Sequence, residues 1–477
     1  MSSVIGREYE KAIMTEALHS ADAELIAVYG RRRVGKTFLI REFYKNEIAF
    51  SFTGQYEADL DIQLTNFSIK LDEFQRSPSA SIPPKNWNEA FVRLKSYLIP
   101  LLKKKKVVVF IDEFPWIDTS KSGFLSAFDY FWNDWASTMS KLKVVICGSA
   151  ASWMIRKVIQ NKGGLHNRVT RKIRLLPFTL SETELFLKNK HIQLDRYQII
   201  QLYMALGGIP YYLKEVKKGQ SVAQTINELC FTKAGLLQDE FNQLFRSLFQ
   251  NYQMHEAIIR LLAQKNTGFT RKEIIEKTNI SSGGTVSLVL EELSDAGFIS
   301  AYIPYGKNHK NLIYKLSDEY SLFYLKFIDK NKYKGDDIWN QLCQLPTYKI
   351  WCGFSFESIC QKHISNIKKH LGISGIYTET SVWRLKGNAQ DAGTQIDLLI
   401  DRKDNCINVC EMKFTDNEYV IDKTYAQAIQ HKINIFKEAT RTKKTLFFTL
   451  ISPYTCKDNE YKTRWIDKEL GMNALFE

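Results

Sequence analysis

Hydrophobic and polar positions divide this chain into stretches of different period. Between residues 25 and 176 short, continuous apolar runs alternate with longer stretches of helical spacing. Leu25–Tyr29, Ala49–Thr53, Lys106–Ile111 and Val144–Cys147 read as strands, with Arg171–Leu176 as a further one, while residues from Lys36 onward, 87–103 and 121–136 read as helices. Strands that are apolar throughout belong in a parallel sheet covered on both faces. An α/β layer domain over residues 1–180 is therefore predicted.

From 181 to 250 the spacing is helical, interrupted only by Gly207-Gly208-Ile209-Pro210, which must end a helix and turn the chain. This predicts a helical lid subdomain. Residues 251–317 give helices at Gln253–Ala263, Arg271–Lys277 and Ser282–Ala296, then two short strands flanking Tyr305–Asn311. Three helices followed by a hairpin predict a winged helix-turn-helix. Residues 318–350 are aromatic and helical, with Phe323, Tyr324, Phe327 and Ile328 on one recurring face, and make a connector. In 351–477, Gly353–Glu357 is expected to open a helix, and Gln395–Ile400 and Ile407–Lys413 to form strands.

A length of 477 residues suits three domains, give or take one. With 44% hydrophobic and 25% charged residues, collagen-like, disordered and coiled-coil classes are excluded. The net charge of +14 suits a polyanionic partner such as DNA, and equally suits plain solubility. Eight scattered cysteines without a Cys-x-x-Cys pair suggest neither a disulfide framework nor a zinc site, and fit a reducing cytoplasm. No apolar run approaches the ~20 residues that span a bilayer, and no secretory pattern opens the chain, so a cytoplasmic protein without membrane association is expected.

The chemistry concentrates in two places. Gly30-Arg31-Arg32-Arg33-Val34-Gly35-Lys36-Thr37 follows a strand and opens a helix, the context in which G-x-x-x-x-G-K-[ST] wraps backbone amides around phosphates. Gly30 and Gly35 permit the close approach, Lys36 would neutralise the β- and γ-phosphates of ATP, and the Thr37 hydroxyl would ligate Mg²⁺. Arg33, Val34 and Phe38 complete the nucleotide-contacting set. The run Val107–Ile111 delivers Asp112 and Glu113 at a strand's C-terminal end, where Asp112 should hold the metal's water shell and Glu113 should polarise the attacking water. Ser149, after the next strand, is a candidate γ-phosphate sensor. Arg168 would stabilise transition-state charge in cis or at the subunit junction of a homo-oligomer, although an ordinary solvated arginine fits the same position.

Gly6-Arg7-Glu8, the arginine-rich loop at 30–37, Ile111-Asp112-Glu113-Phe114, Gly148-Ser149, Leu176-Pro177-Phe178 and Gly207–Tyr212 together resemble the archaeal-type ATPases of the STAND branch of AAA+-related proteins. The resemblance covers almost the entire chain. It implies that Gly6 and Arg7 help frame the nucleotide pocket, and that Arg31 to Arg33 serve a partner interface more than the phosphates.

The second place lies near the C-terminus. Glu411 and Lys413 point to one face of their strand, and Asp397 joins them from its neighbour. Two carboxylates can hold a divalent metal while a lysine steadies the attacked phosphate, which is phosphodiester hydrolysis. The arrangement resembles the PD-(D/E)xK nuclease fold, a restriction-endonuclease-like domain that archaeal-type ATPases often carry. The resemblance makes Glu357 the helical acid, Asp397 and Glu411 the metal ligands and Lys413 the catalytic lysine, with Tyr425 and Gln427 as contacts to the nucleic-acid backbone. Ile396 stands where the motif has proline. A hairpin bearing a surface Glu-Lys pair would give the same short pattern.

The helix placed to enter a major groove, Ser282–Leu293, has no Lys or Arg and two acids, which suits base reading poorly. Lys307, His309 and Lys310 on the wing would make non-specific phosphate contacts. Packing against a protein surface is the competing role. The expected architecture is thus an α/β P-loop NTPase parallel-sheet domain with a helical lid, a winged helix-turn-helix and a C-terminal α/β restriction-endonuclease-like domain. Two functions stay open: an ATPase coupled to DNA binding or metal-dependent DNA cleavage, and a signalling or scaffold ATPase whose C-terminal domain binds nucleic acid or protein without cutting.

Overall fold

The computed structural model describes every residue except 1–3, 161–164, 166, 250, 279, 281–282, 333–334, 336, 386 and 388–392. Five parallel strands form the first sheet: β1 (Glu24–Tyr29), β2 (Ile48–Thr53), β3 (Val107–Asp112), β4 (Leu142–Gly148) and β5 (Arg171–Arg174), in the spatial order β2-β3-β4-β1-β5. β1, β3 and β4 are almost wholly buried, as their unbroken apolar sequences require. Helices 60–75, 87–104 and 124–134 supply an aromatic layer, including Phe67, Trp87, Phe91, Phe124 and Phe128, that covers the sheet. Because β4 lies between β1 and β3, the loops after all three strands open at one edge, and that edge carries the phosphate-loop sequence, Asp112 and Ser149.

The chain forms two compact units, the first being 1–177 with 247–250 and 295–297, the second comprising the remainder. In the second unit, Arg196–Leu206 ends at Gly207 and a short helix restarts at Pro210. Helix Tyr252–Leu262 is followed by β6 (Phe269–Thr270), helices Arg271–Thr278 and Gly283–Asp295, and the hairpin of β7 (Ile299–Tyr302) and β8 (Ile313–Leu316), and the three strands form an antiparallel sheet in the order β6-β8-β7. Ser282, expected to begin the third helix, lies outside the described residues. Phe231, Phe323, Phe327, Trp339, Tyr348 and Trp351 pack as one aromatic cluster.

The last sheet is mixed, in the order β13-β12-β11-β10-β9, with β9 (Thr378–Leu385), β10 (Thr394–Arg402), β11 (Cys406–Met412), β12 (Thr445–Ile451) and β13 (Lys468–Leu470). β9, β10 and β11 run antiparallel in sequence, and helix Lys423–Thr440 carries the chain to β12, parallel to β11. The helix bearing Glu357 begins earlier than its sequence suggests. It starts at Pro346, whose fixed φ and missing N–H suit a first turn, and runs to Lys362, so Glu357 sits towards its end.

Candidate functional site

In the first unit, Gly30 has φ 149° and lies so close to the backbone just after β5 that a Cβ there would sit 2.3 Å from Leu175 O. Gly35 has φ 91° and caps the helix Lys36–Phe43. Both positions exclude an ordinary side chain, one by contact and the other by conformation. Lys36 is buried, and its Nζ donates to Gly30 O and Arg31 O, both at 2.9 Å. The ammonium therefore holds the curl of the loop with the donors that phosphate oxygens would also use. Thr37 Oγ1 donates to Asp112 Oδ2 at 2.8 Å, placing a hydroxyl and a carboxylate where one Mg²⁺ could take both.

Glu113 adopts a left-handed conformation, φ 46°, immediately after β3. Its Oε2 accepts from Ser149 Oγ at 2.8 Å and from Ser149 N at 3.2 Å. Arg7 Nη2 donates to Val34 O at 3.2 Å, tying the Gly6-Arg7 turn to the phosphate loop. Arg33 takes φ 72°, and Arg32 lies over the Trp116 ring, 5.3 Å from its centroid. Phe38 is half exposed on the helix. Arg168 stands exposed in a turn whose backbone N–H donates to Leu165 O. The geometry thus brings together Arg7, Val34, Lys36 and Thr37 around the loop and Asp112, Glu113 and Ser149 beside it.

In the second unit, the pairing of β10 with β11 ends at Leu398 and Cys410, so Asp397 and Glu411 each lie one residue beyond the last pair, at the same end of the two strands. Gln395 Nε2 donates to Asp397 Oδ1 at 2.9 Å, and Gln361 Nε2 donates to Asp397 O at 3.2 Å. Gln361 lies one turn beyond Glu357, so that face of the helix meets β10. Burial, followed by the charge of Asp397, pushes the Glu357 carboxyl up to about 8, against the pull of Lys315. Burial and then Glu411 push Asp397 up to about 6, opposed by Lys432, Gln395 and Lys315. Burial leads both shifts, with Lys315 and Lys432 opposing them, and among the described residues no group of three or more acidic, histidine or cysteine side chains is arranged to hold a metal ion.

Glu411 accepts an ion pair from Lys432 on helix Lys423–Thr440. Lys413 Nζ sits over the Tyr425 ring at 4.4 Å and the Tyr419 ring at 5.5 Å. Tyr425 Oη is buried without a hydrogen-bond partner among the described residues. Lys432 and Lys315 escape a reading of the sequence, because neither belongs to the Asp-x(n)-Glu-x-Lys spacing. Lys432 follows Glu411 by 21 residues and reaches it only through the helix crossover. Lys315 comes from β8, about 80 residues before Asp397.

Residues 5–216 match the model of a family described as an ATPase domain predominantly from Archaea. Over these residues the chain carries an ATPase domain. An uncharacterized protein of Methanocaldococcus jannaschii is 23% identical over 390 residues, covering 81% of this chain and 83% of that one. Among solved structures, the chain is similar to a Walker-type ATPase of Pyrococcus abyssi, with a TM-score of 0.49 and 18% identity over 68% of this chain and 96% of that one. It is also similar to the ORC2 protein of Aeropyrum pernix, with a TM-score of 0.42 and 14% identity over 69% and 94% of the two chains. The ATPase domain's matched region contains the phosphate loop, Asp112, Glu113 and Ser149, and stops before the carboxylate site. Among the described residues no helix is long and apolar enough to cross a membrane.

Proposed function

We propose that the ATPase domain binds Mg-ATP at Lys36, Thr37 and Asp112, activates water through Glu113, and controls a C-terminal site that cleaves DNA with a divalent cation. In the nucleotide site Lys36 must leave Gly30 O and Arg31 O to meet the phosphates, and Mg²⁺ would replace the Thr37–Asp112 hydrogen bond. Gly6, Arg7, Arg33, Val34 and Phe38 would line the nucleotide, and Arg168 would stabilise transition-state charge in cis or at a subunit junction.

The observation that carries the cleavage reading is the meeting of Glu357, Asp397 and Glu411 on a helix and two paired strands, with the Glu357 and Asp397 carboxyls driven towards neutrality by burial and by neighbouring charge. Asp397 and Glu411 would hold the metal, which supplies Lewis acidity and an activated water. Lys413, held by the Tyr419 and Tyr425 rings, would face the phosphate. The three-helix and hairpin module reads as a winged helix that contributes Lys307 and Lys310 to non-specific DNA contact.

Incubation of the purified chain with plasmid, linear and single-stranded DNA in Mg²⁺ or Mn²⁺, with and without ATP, tests this. Cutting is expected, and is lost in Asp397→Ala and Lys413→Ala. Cutting that persists in both variants defeats the assignment. The Glu411–Lys432 ion pair favours a second reading, since a site already neutralised from within can serve as a binding surface. On that reading ATP drives a change in oligomer size without any cleavage.

A further inference from the structure

We infer that the cavity between the hairpin of β7 and β8 and the strands β9 and β10 receives one unpaired nucleotide of a single-stranded DNA. It deepens the cleavage reading of Glu357 and Asp397 and rests on it for what happens after binding, while binding itself can be measured without cleavage.

The cavity measures about 350 Å³, and its lining joins three chemistries. Glu357 and Asp397 line it from one wall, and Lys315 faces them from β8. Lys307 and Arg384, both exposed, add positive charge. Phe354, one turn before Glu357 on the same helix, is 37% exposed and also lines the cavity. A phosphate needs the cations, a base needs the aromatic face, and a metal-dependent reaction needs the carboxylates. This cavity holds all of them within one nucleotide's reach.

Its walls are fixed. Tyr305 N donates to Val382 O at 2.9 Å, and the Tyr305 ring packs against Phe436 at 5.4 Å. Tyr302 Oη donates to Thr267 O at 2.8 Å, and Arg384 donates to Thr267 Oγ1 at 3.4 Å. These contacts tie the hairpin and the sheet together, so the hairpin forms one side of the pocket.

Size selects the ligand. The volume lies at the small end of the range for pockets that enclose small molecules. A duplex, whose major groove alone is about 12 Å wide, cannot enter it. A base can reach Phe354 only after leaving its stack, as enzymes acting on single bases require. Stacking on one aromatic face with cations along the backbone recognises single strands without regard to sequence. The acid-bearing helix Gly283–Asp295, which suits base reading poorly, is then no obstacle to binding, because no groove is read.

The test is fluorescence anisotropy of a labelled oligothymidylate and of a labelled duplex, with the full chain in EDTA at low salt. The single strand should bind at least about tenfold tighter than the duplex. Phe354→Ala should weaken it about tenfold, and Lys307→Glu with Arg384→Glu should weaken it by at least as much while flattening its salt dependence. Thermal midpoints confirm that both variants fold, and Phe354→Leu, which keeps bulk without the aromatic face, should weaken binding as Phe354→Ala does. Equal binding of duplex and single strand, or wild-type affinity in the folded variants, overturns the inference. Binding that depends on Phe354 and Lys307 without any Mn²⁺-dependent cutting upholds the pocket and removes the cleavage reading alone.

Discussion

Ser149 Oγ donates to Glu113 Oε2 at 2.8 Å, joining the ends of two adjacent strands across the mouth of the phosphate loop. The left-handed backbone at Glu113 turns its side chain towards β4, and the Ser149 amide adds a second donor at 3.2 Å. A carboxylate held by two donors has a fixed direction, which a base acting on one water molecule needs. Glu113→Gln should retain ATP binding and lose turnover by a factor of about 10²–10⁴, the usual worth of general base catalysis. Ser149→Ala removes a charge-assisted hydrogen bond worth about 1.5–3 kcal/mol, so kcat should fall by roughly tenfold or more with Kd for ATP unchanged. A change confined to Kd would mean that Ser149 touches the nucleotide and does not orient Glu113.

Lys36 makes a separate prediction, because its ammonium spans two loop carbonyls, Gly30 O and Arg31 O. In the wild-type chain, ATP at about 100 times Kd should stabilise the first unit by about 2.7 kcal/mol, seen as a rise in thermal midpoint. Lys36→Ala should abolish that rise. It should also lower the ligand-free midpoint, since Gly30 O and Arg31 O lose their charged donor. A nucleotide-induced rise that survives the substitution would place the phosphates elsewhere.

How much of this was legible in the sequence depends on how local each signal is. The phosphate loop is contiguous, and the strand delivering Asp112 and Glu113 is apolar up to its last residues, so both can be read directly from spacing. The Ser149–Glu113 bond was half legible: a polar residue after a strand was visible, but its partner depends on β4 lying beside β3. Sequence spacing carries no information on strand order. The same limit hid Lys432 and Lys315, which reach the carboxylates through a helix crossover and from a separate module. β9 escaped as well, because Thr378–Leu385 alternates polar and apolar residues weakly and is largely solvent-accessible. Pro346 was the missed signal for the start of the Glu357 helix.

His363 gives a pH dependence with a definite sign. It is buried, its Nδ1 lies 2.8 Å from Ile359 O, and its Nε2 accepts from Leu180 N at 3.0 Å, so the ring must be neutral to serve both partners. Burial lowers its pKa from 6.5 to about 4, against the weaker pull of Ile359 O. The unfolded chain takes up a proton as pH falls through about 6.5, whereas the native chain does so only near 4. Below 6.5 the unfolded state binds more protons, and stability must decline until about pH 4. The full effect is roughly 3 kcal/mol. Urea midpoints measured from pH 7 to 4.5 should show the decline, and His363→Phe should flatten it while costing about 1–3 kcal/mol at pH 7 through the unpaired Leu180 N–H. An unchanged slope in that variant would assign the acid sensitivity to other groups.

Lys432 pairs with Glu411, one of the two carboxylates that would hold a metal, with both side chains largely buried. A divalent ion approaching Glu411 must therefore compete with an ammonium already in place, and like-charge repulsion at close range survives solvent screening when both groups are buried. Lys432→Met keeps the length of the side chain and removes its charge. Mn²⁺ binding, followed by calorimetry, should tighten by about tenfold, the equivalent of about 1.4 kcal/mol, while the metal-free protein should lose stability because Glu411 is left buried without its counter-charge. Adding Mn²⁺ should recover that stability, since the ion takes the place of the ammonium. Weaker Mn²⁺ binding in Lys432→Met would mean that the lysine organises the carboxylates for the metal, and that the ion pair is part of the site's assembly and not its competitor.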